Sequence, residues 1–127
     1  MDERFFDLIT EIAERLDNDW TVDEMAAKTG LSLSQFRLVF NTVTLLTPAA
    51  YLKDTRLHRA KHLIKTTYEH INQIGIQVGM RDHSHFTRDF KQKFGVTLRW
   101  SNKTGQKTLY NGEYEKIRRR VQEGSNW

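Results

Sequence analysis

The sequence predicts an all-α fold: two helix-turn-helix lobes in tandem, joined by a long linker helix. Three observations predict it. Residues 70–94, HINQIGIQVGMRDHSHFTRDFKQKF, have the spacing of two short helices around a glycine turn. The same pattern occurs 49 residues earlier, in TVDEMAAKTGLSLSQFRLVF, and an internal repeat is a strong architectural signal. Between the copies, from Pro48 to about Thr66, the chain holds no glycine and no further proline. Regular apolar-polar alternation is scarce throughout, so no strand pattern competes.

In chain order, Phe5, Phe6, Leu8, Ile9, Ile12, Ala13 and Leu16 predict an amphipathic first helix ended by Asn18-Asp19, with Trp20 as a core plug behind it. Thr21 is the natural N-cap of the next helix, and Glu24 three residues on completes a capping box. Gly30 closes that helix. Ser32 or Ser34 caps the one after it, Gln35 to about Asn41. There Ser34, Gln35, Arg37, Leu38 and Asn41 are the outward candidates. Leu38 has no hydrogen-bonding group, which leaves contact with thymine methyls or simple packing.

Thr47 and Pro48 suit the cap and first turn of the linker helix, with Tyr51, Leu52, Thr55, Ala60, Leu63 and Ile64 as its inner face. About 19 residues at ~1.5 Å each span roughly 28 Å. That approaches the ~34 Å separating two major-groove helices on one face of B-DNA. The helix also carries Lys53, Arg56, Arg59, Lys61 and Lys65.

In the second copy Ile71, Ile74 and Val78 stand where Val22, Met25 and Thr29 stand in the first, and Gly79 matches Gly30. One extra residue follows, after which Phe86 and Phe90 match Phe36 and Phe40. Asp82 is the expected N-cap, and Phe86, Phe90 and Phe94 the inner face. His83, Ser84, His85, Thr87, Arg88 and Lys91 supply groups suited to base edges and phosphates. Arg88 lies two residues from Phe86 and two from Phe90, so it faces outward, where an arginine can grip guanine O6 and N7. The phosphate candidates are Thr87, Lys91, Lys65 and Arg81.

The expected organisation is a first lobe at 1–46, the linker at 47–67, a second lobe at 68–102 and a basic, partly helical extension at 103–127. Within the extension, Lys103–Lys107 reads as loop, Asn111-Gly112 as a turn, and Glu113–Glu123 as a helix with Tyr114, Ile117 and Val121 beside Arg118-Arg119-Arg120.

Charge is unevenly spread. Residues 1–24 hold nine acids and two bases, residues 25–127 hold 18 bases and seven acids, and the net is +4. A basic body suits a polyanionic partner. With no cysteine, neither a disulfide framework nor a thiolate metal site is available. No run has the length of a membrane span and Met1-Asp2-Glu3-Arg4 does not open a secretory signal, so a cytoplasmic protein is expected. His58 and His62 have a metal-ligand spacing, but basic neighbours favour a solvated face. His83 and His85, two apart on a helix, diverge. No nucleophilic triad and no phosphate-cradling glycine loop occurs, so neither an enzyme nor a cofactor is expected. A helical protein-interaction module with only non-specific nucleic-acid affinity is the alternative.

AKHLIKTT at 60–67 and IxxIxxxVGMRDHSHFTRDFKQKFGV over the second copy resemble the DNA-binding domain of the AraC/XylS family of bacterial transcription regulators, and the likeness covers about residues 5–102. It implies a homeodomain-like tandem whose recognition helices enter successive major grooves of promoter DNA. The family's base-reading positions fall on Ser34, Gln35, Arg37 and Leu38, and on His83, Ser84, His85 and Arg88. The resemblance also implies contacts with RNA polymerase and binding as a monomer or dimer. The usual effector domain is missing, as in a stand-alone regulator or the C-terminal part of a longer one. Four positions depart from the family pattern: Leu45 for glycine, Gly75 for alanine, Met80 for phenylalanine, and Leu98 for the proline before a last short helix. Gly75 is expected to loosen its helix by up to roughly 1 kcal/mol relative to alanine.

Overall fold

The structure, a computed structural model, describes residues 3–95 and, as backbone alone, 98–100 and 107–109. The elements are α1 (Glu3–Glu14), α2 (Val22–Thr29), α3 (Leu33–Thr44), α4 (Pro48–Thr66), α5 (Ile71–Gln77), α6 (His83–Phe94), β1 (Leu98–Trp100) and β2 (Lys107–Leu109). The all-α expectation holds: residues 3–95 form helices and their connections. The chain makes two compact units, one ending at Arg56 and the other beginning at Leu57, so the division falls inside α4.

In the first unit, α1 buries Phe5, Leu8 and Ile12 at three- and four-residue steps. Phe6, expected inside, is 54% exposed, because it lies about 100° around the helix from Phe5. Ala13 is likewise exposed. The helix stops at Glu14 rather than running to Asn18, and side chains take up carbonyls of the connection that follows. Trp20 Nε1 donates to the Arg15 carbonyl (2.9 Å), while Arg56 donates from Nε to Leu16 O (3.1 Å) and from Nη2 to Asn18 O (2.8 Å). Trp20 is thereby both a core plug and a tie for that connection. Thr21 Oγ1 accepts from Glu24 N (3.1 Å) to start α2, and Gly30 closes it at φ +74°. Ser32, not Ser34, caps α3 by accepting from Gln35 N (3.3 Å), so α3 starts earlier than expected and runs on to Thr44. Phe40 is the hub of this core, with ring centroids 5.5 Å from Phe5, 5.4 Å from Phe36 and 5.2 Å from Tyr51.

No single stripe runs the length of α4. Pro48 and Leu52 are buried four residues apart in its first half, and Leu57, Ala60 and Ile64 follow at three- and four-residue steps in the second. The five-residue step from Leu52 to Leu57 breaks the register, which is why Leu57 escaped the sequence-based inner face. The helix therefore contributes to both cores as well as linking them. Thr47 Oγ1 caps it, accepting from Ala50 N (3.2 Å).

In the second unit, Ile71, Ile74 and Val78 are buried as their spacing predicts. Gly79 turns the chain at φ +88°, and Asp82 Oδ1 starts α6 by accepting from His85 N (3.0 Å). Phe86, Phe90 and Phe94 form the aromatic core, with centroids 6.1 Å and 4.7 Å apart in sequence order. Gly75 corrects the expectation of a loosened helix. A Cβ at this residue would stand 2.8 Å from the Met80 carbonyl oxygen and 3.0 Å from the Phe86 ring, and Met80 N donates to Gly75 O (2.7 Å). The turn is packed directly onto the missing side chain.

Where a last short helix is expected to start, Leu98–Trp100 is extended backbone. Leu98, Arg99 and Trp100 pair antiparallel with Leu109, Thr108 and Lys107. Without the proline that would open a helix, a Leu-Arg-Trp run with an aromatic residue suits a strand. Of the expected 103–107 loop, Lys107 is strand and the rest lies outside the described residues, as do the 111–112 turn and the 113–123 helix.

Candidate nucleic-acid interface

The two lobes repeat one local device. An N-cap side chain accepts the backbone N–H three residues on and also meets that residue's side chain. In the first lobe Ser32 Oγ accepts from Gln35 N and donates to Gln35 Oε1 (3.2 Å). In the second, Asp82 accepts from His85 N, and its other carboxylate oxygen lies 3.6 Å from His85 Nδ1, an ion pair when that ring is protonated. The His85 backbone N–H is the main cause holding the Asp82 carboxyl below the usual carboxylate range, with smaller pulls from the His85 ring, Ser84 N–H and Arg88. Gln35 and His85 are thus tethered at the start of their helices.

On α3, Ser34, Gln35, Arg37, Leu38 and Asn41 are all exposed. At about 100° per residue, Leu38 falls ~180° from the midline of buried Phe36 and Phe40, at the centre of the outer face. Ser34, Gln35 and Asn41 surround it. Arg37 lies only ~80° from the core midline, on the flank. Leu38 is 69% exposed, so the packing alternative raised by its sequence is removed.

On α6, Arg88 occupies the matching central position, ~160° from the midline of Phe86, Phe90 and Phe94. Its side chain is 66% exposed, and Nε lies 3.5 Å from Asp89 Oδ1. Ser84 and His85 share its face. His83, although exposed in the first turn, lies within ~20° of the phenylalanine midline and does not join them. Thr87 is half-buried on the flank, its hydroxyl donating to His83 O (3.0 Å) and Ser84 O (3.2 Å). Lys91, Lys65 and Arg81 are exposed. Gln92 was passed over in the sequence. It is exposed four residues beyond Arg88, a spacing that would have found it.

His58 sets its ring edge-on to Phe94 (5.7 Å). Lys61 holds its ammonium 5.3 Å from the same ring, and burial, then the nearby Lys93, lowers its pKa from the ordinary lysine value. Among the described residues, no three His, Cys, Asp or Glu side chains gather as a metal site. No described helix is long and apolar enough to cross a membrane.

Comparison with known proteins gives the arrangement a family. A helix-turn-helix domain model matches residues 25–100. The chain is 37% identical over 75 residues to the HTH-type transcriptional regulator AlkR of Acinetobacter baylyi, covering 59% of this chain and 24% of that protein. It is 27% identical over 96 residues to the HTH-type transcriptional regulator MtrA of Neisseria gonorrhoeae, covering 76% and 32%. The chain thus spans a third or less of the length of these curated relatives. The fold is also similar to that of the DNA-binding domain of AdpA, a global transcriptional factor crystallised with a target DNA. There the TM-score is 0.72 at 20% identity, over 76% of this chain and 86% of the other. With the helix-turn-helix domain model matching more than half of its length, the chain belongs to the AraC/XylS family of helix-turn-helix DNA-binding transcription regulators.

Proposed function

We propose that this chain binds promoter DNA sequence-specifically, with α3 and α6 entering successive major grooves and α4 setting their separation. The observation that carries the reading is the equivalence of the two helices. Each is pinned by phenylalanines on one side, tethered at its third residue to its N-cap, and turned outward with an accessible face. Base edges are read by Ser34, Gln35 and Leu38 in the first lobe, and by Ser84, His85 and Arg88 in the second. Arg37 and Thr87 stand to the side, where phosphates run, His83 lies on the core side apart from the base-reading face, and Lys91, Lys65 and Arg81 add charge toward the backbone. Asp89 steadies Arg88 at Nε, which leaves the paired Nη groups for guanine.

The relatives named as transcriptional regulators support regulation of transcription in a bacterial cytoplasm, with RNA polymerase as a further partner. Sensing of an effector would belong to a separate or additional domain. The test is a duplex selected from a random pool, then lengthened by about five base pairs between its half-sites, roughly half a helical turn. Tight binding is expected to vanish because one groove rotates to the far side. Undiminished binding would remove two-lobe engagement, and weak binding blind to sequence would favour the interaction-module alternative.

A further inference from the structure

We infer that the first lobe recognises a thymine through its 5-methyl group, with Leu38 as the reading residue. The inference rests on the proposal that α3 enters the major groove. Leu38 is the most outward residue of α3, and 69% exposed, yet its side chain can neither donate nor accept a hydrogen bond. Its neighbours on that face are polar: Ser34, Gln35, Asn41 and Thr42. Thr42 already donates its hydroxyl to the Leu38 carbonyl (2.8 Å), so that hydroxyl proton is not offered to a base. A large apolar side chain ringed by polar ones is covered favourably only by an apolar group. On the floor of the major groove the one such group is the thymine C5-methyl.

Gln35, one turn earlier on the same side, strengthens the assignment. Its Oε1 is engaged by Ser32, which fixes the amide near the helix start. Glutamine pairs with adenine N6 and N7, so Gln35 and Leu38 together fit a half-site containing A·T pairs. The second lobe carries Arg88 at the position equivalent to Leu38 and fits guanine instead. The whole site is then chemically asymmetric, a hydrogen-bonded guanine in one half and a methyl contact in the other.

The test alters the DNA first. In the selected duplex, each thymine of the first half-site is replaced in turn by deoxyuridine, which removes the methyl and leaves the pairing unchanged. One replacement is expected to weaken wild-type binding about fourfold, the worth of one buried methyl. The same replacement should leave the affinity of Leu38→Ala unchanged. A 5-methylcytosine at that position should bind wild type better than unmodified cytosine does. If wild type tolerates every thymine-to-deoxyuridine change while still requiring its site and spacing, the Leu38 inference falls and the DNA-binding proposal stands. Equal sensitivity of wild type and Leu38→Ala overturns it too. If no duplex is selected at all, both fail together.

Discussion

The two lobes are one design executed with different compromises. Their turns show it best. The first runs Gly30-Leu31 into its cap at Ser32, and the second inserts a residue, Gly79-Met80-Arg81, before Asp82. The longer turn folds back on α5, bringing the Met80 carbonyl over residue 75. In the first lobe the equivalent residue is Ala26, buried with its methyl in place. In this chain the longer turn and the glycine are packed against each other. What reads in the sequence as a weak helix position is, in the fold, a point of close packing with the turn.

The ends of the recognition helices differ in the opposite sense. Gly95 closes α6 at φ +75°, with its N–H on Lys91 O. Leu45 closes α3 at φ +64° with the same hydrogen bond to Asn41 O, and is 82% exposed. A β-carbon in the left-handed region is sterically strained, so the first lobe carries strain at the site where the second carries none.

The largest expected effect tests the contrast between the two outer faces. Arg88→Ala should lose about 1–3 kcal/mol of discrimination at a single base pair. Leu38→Ala should lose less, and Lys65→Ala should weaken all duplexes alike while lowering the salt slope by about 1. Binding to duplexes varied one base at a time separates the three. A uniform loss for Arg88→Ala would reduce that residue to a phosphate contact and erase the difference between the lobes.

Next comes the turn. Gly75→Ala is expected to destabilise the second unit by about 1–3 kcal/mol, as overpacking does, even though alanine is the better helix former. Chemical denaturation would show it. A gain in stability would mean that the Met80 carbonyl moves aside easily. The smallest effect is at the helix end. Leu45→Gly should stabilise the first unit by about 0.5–1 kcal/mol, relief of the left-handed strain being partly offset by glycine's greater freedom when unfolded. Thermal melting would register it as a small upward shift. No change, or a fall, would show that the leucine side chain makes a compensating contact.

Caps and turns were legible because their causes lie within a few residues. Thr21 with Glu24, Gly30, Asp82 with His85, and the start of α4 at Pro48 all follow from hydrogen bonds and dihedral preferences inside one turn of chain. The outward positions of Leu38 and Arg88 were legible for the same reason, since a phenylalanine pair fixes the helix phase locally. Tertiary structure decided the rest. Leu57 is buried because α4 shifts its inner register between two cores, and Gly75 is closely packed because a turn five residues later lands on it. Arg56 holds the connection after α1 from 40 residues away, and Leu98–Trp100 is extended because Lys107–Leu109 supplies its hydrogen bonds. In each of these the deciding partner lies beyond the reach of a helical repeat. Periodicity encodes which face turns inward, but not which atoms of another segment will meet it.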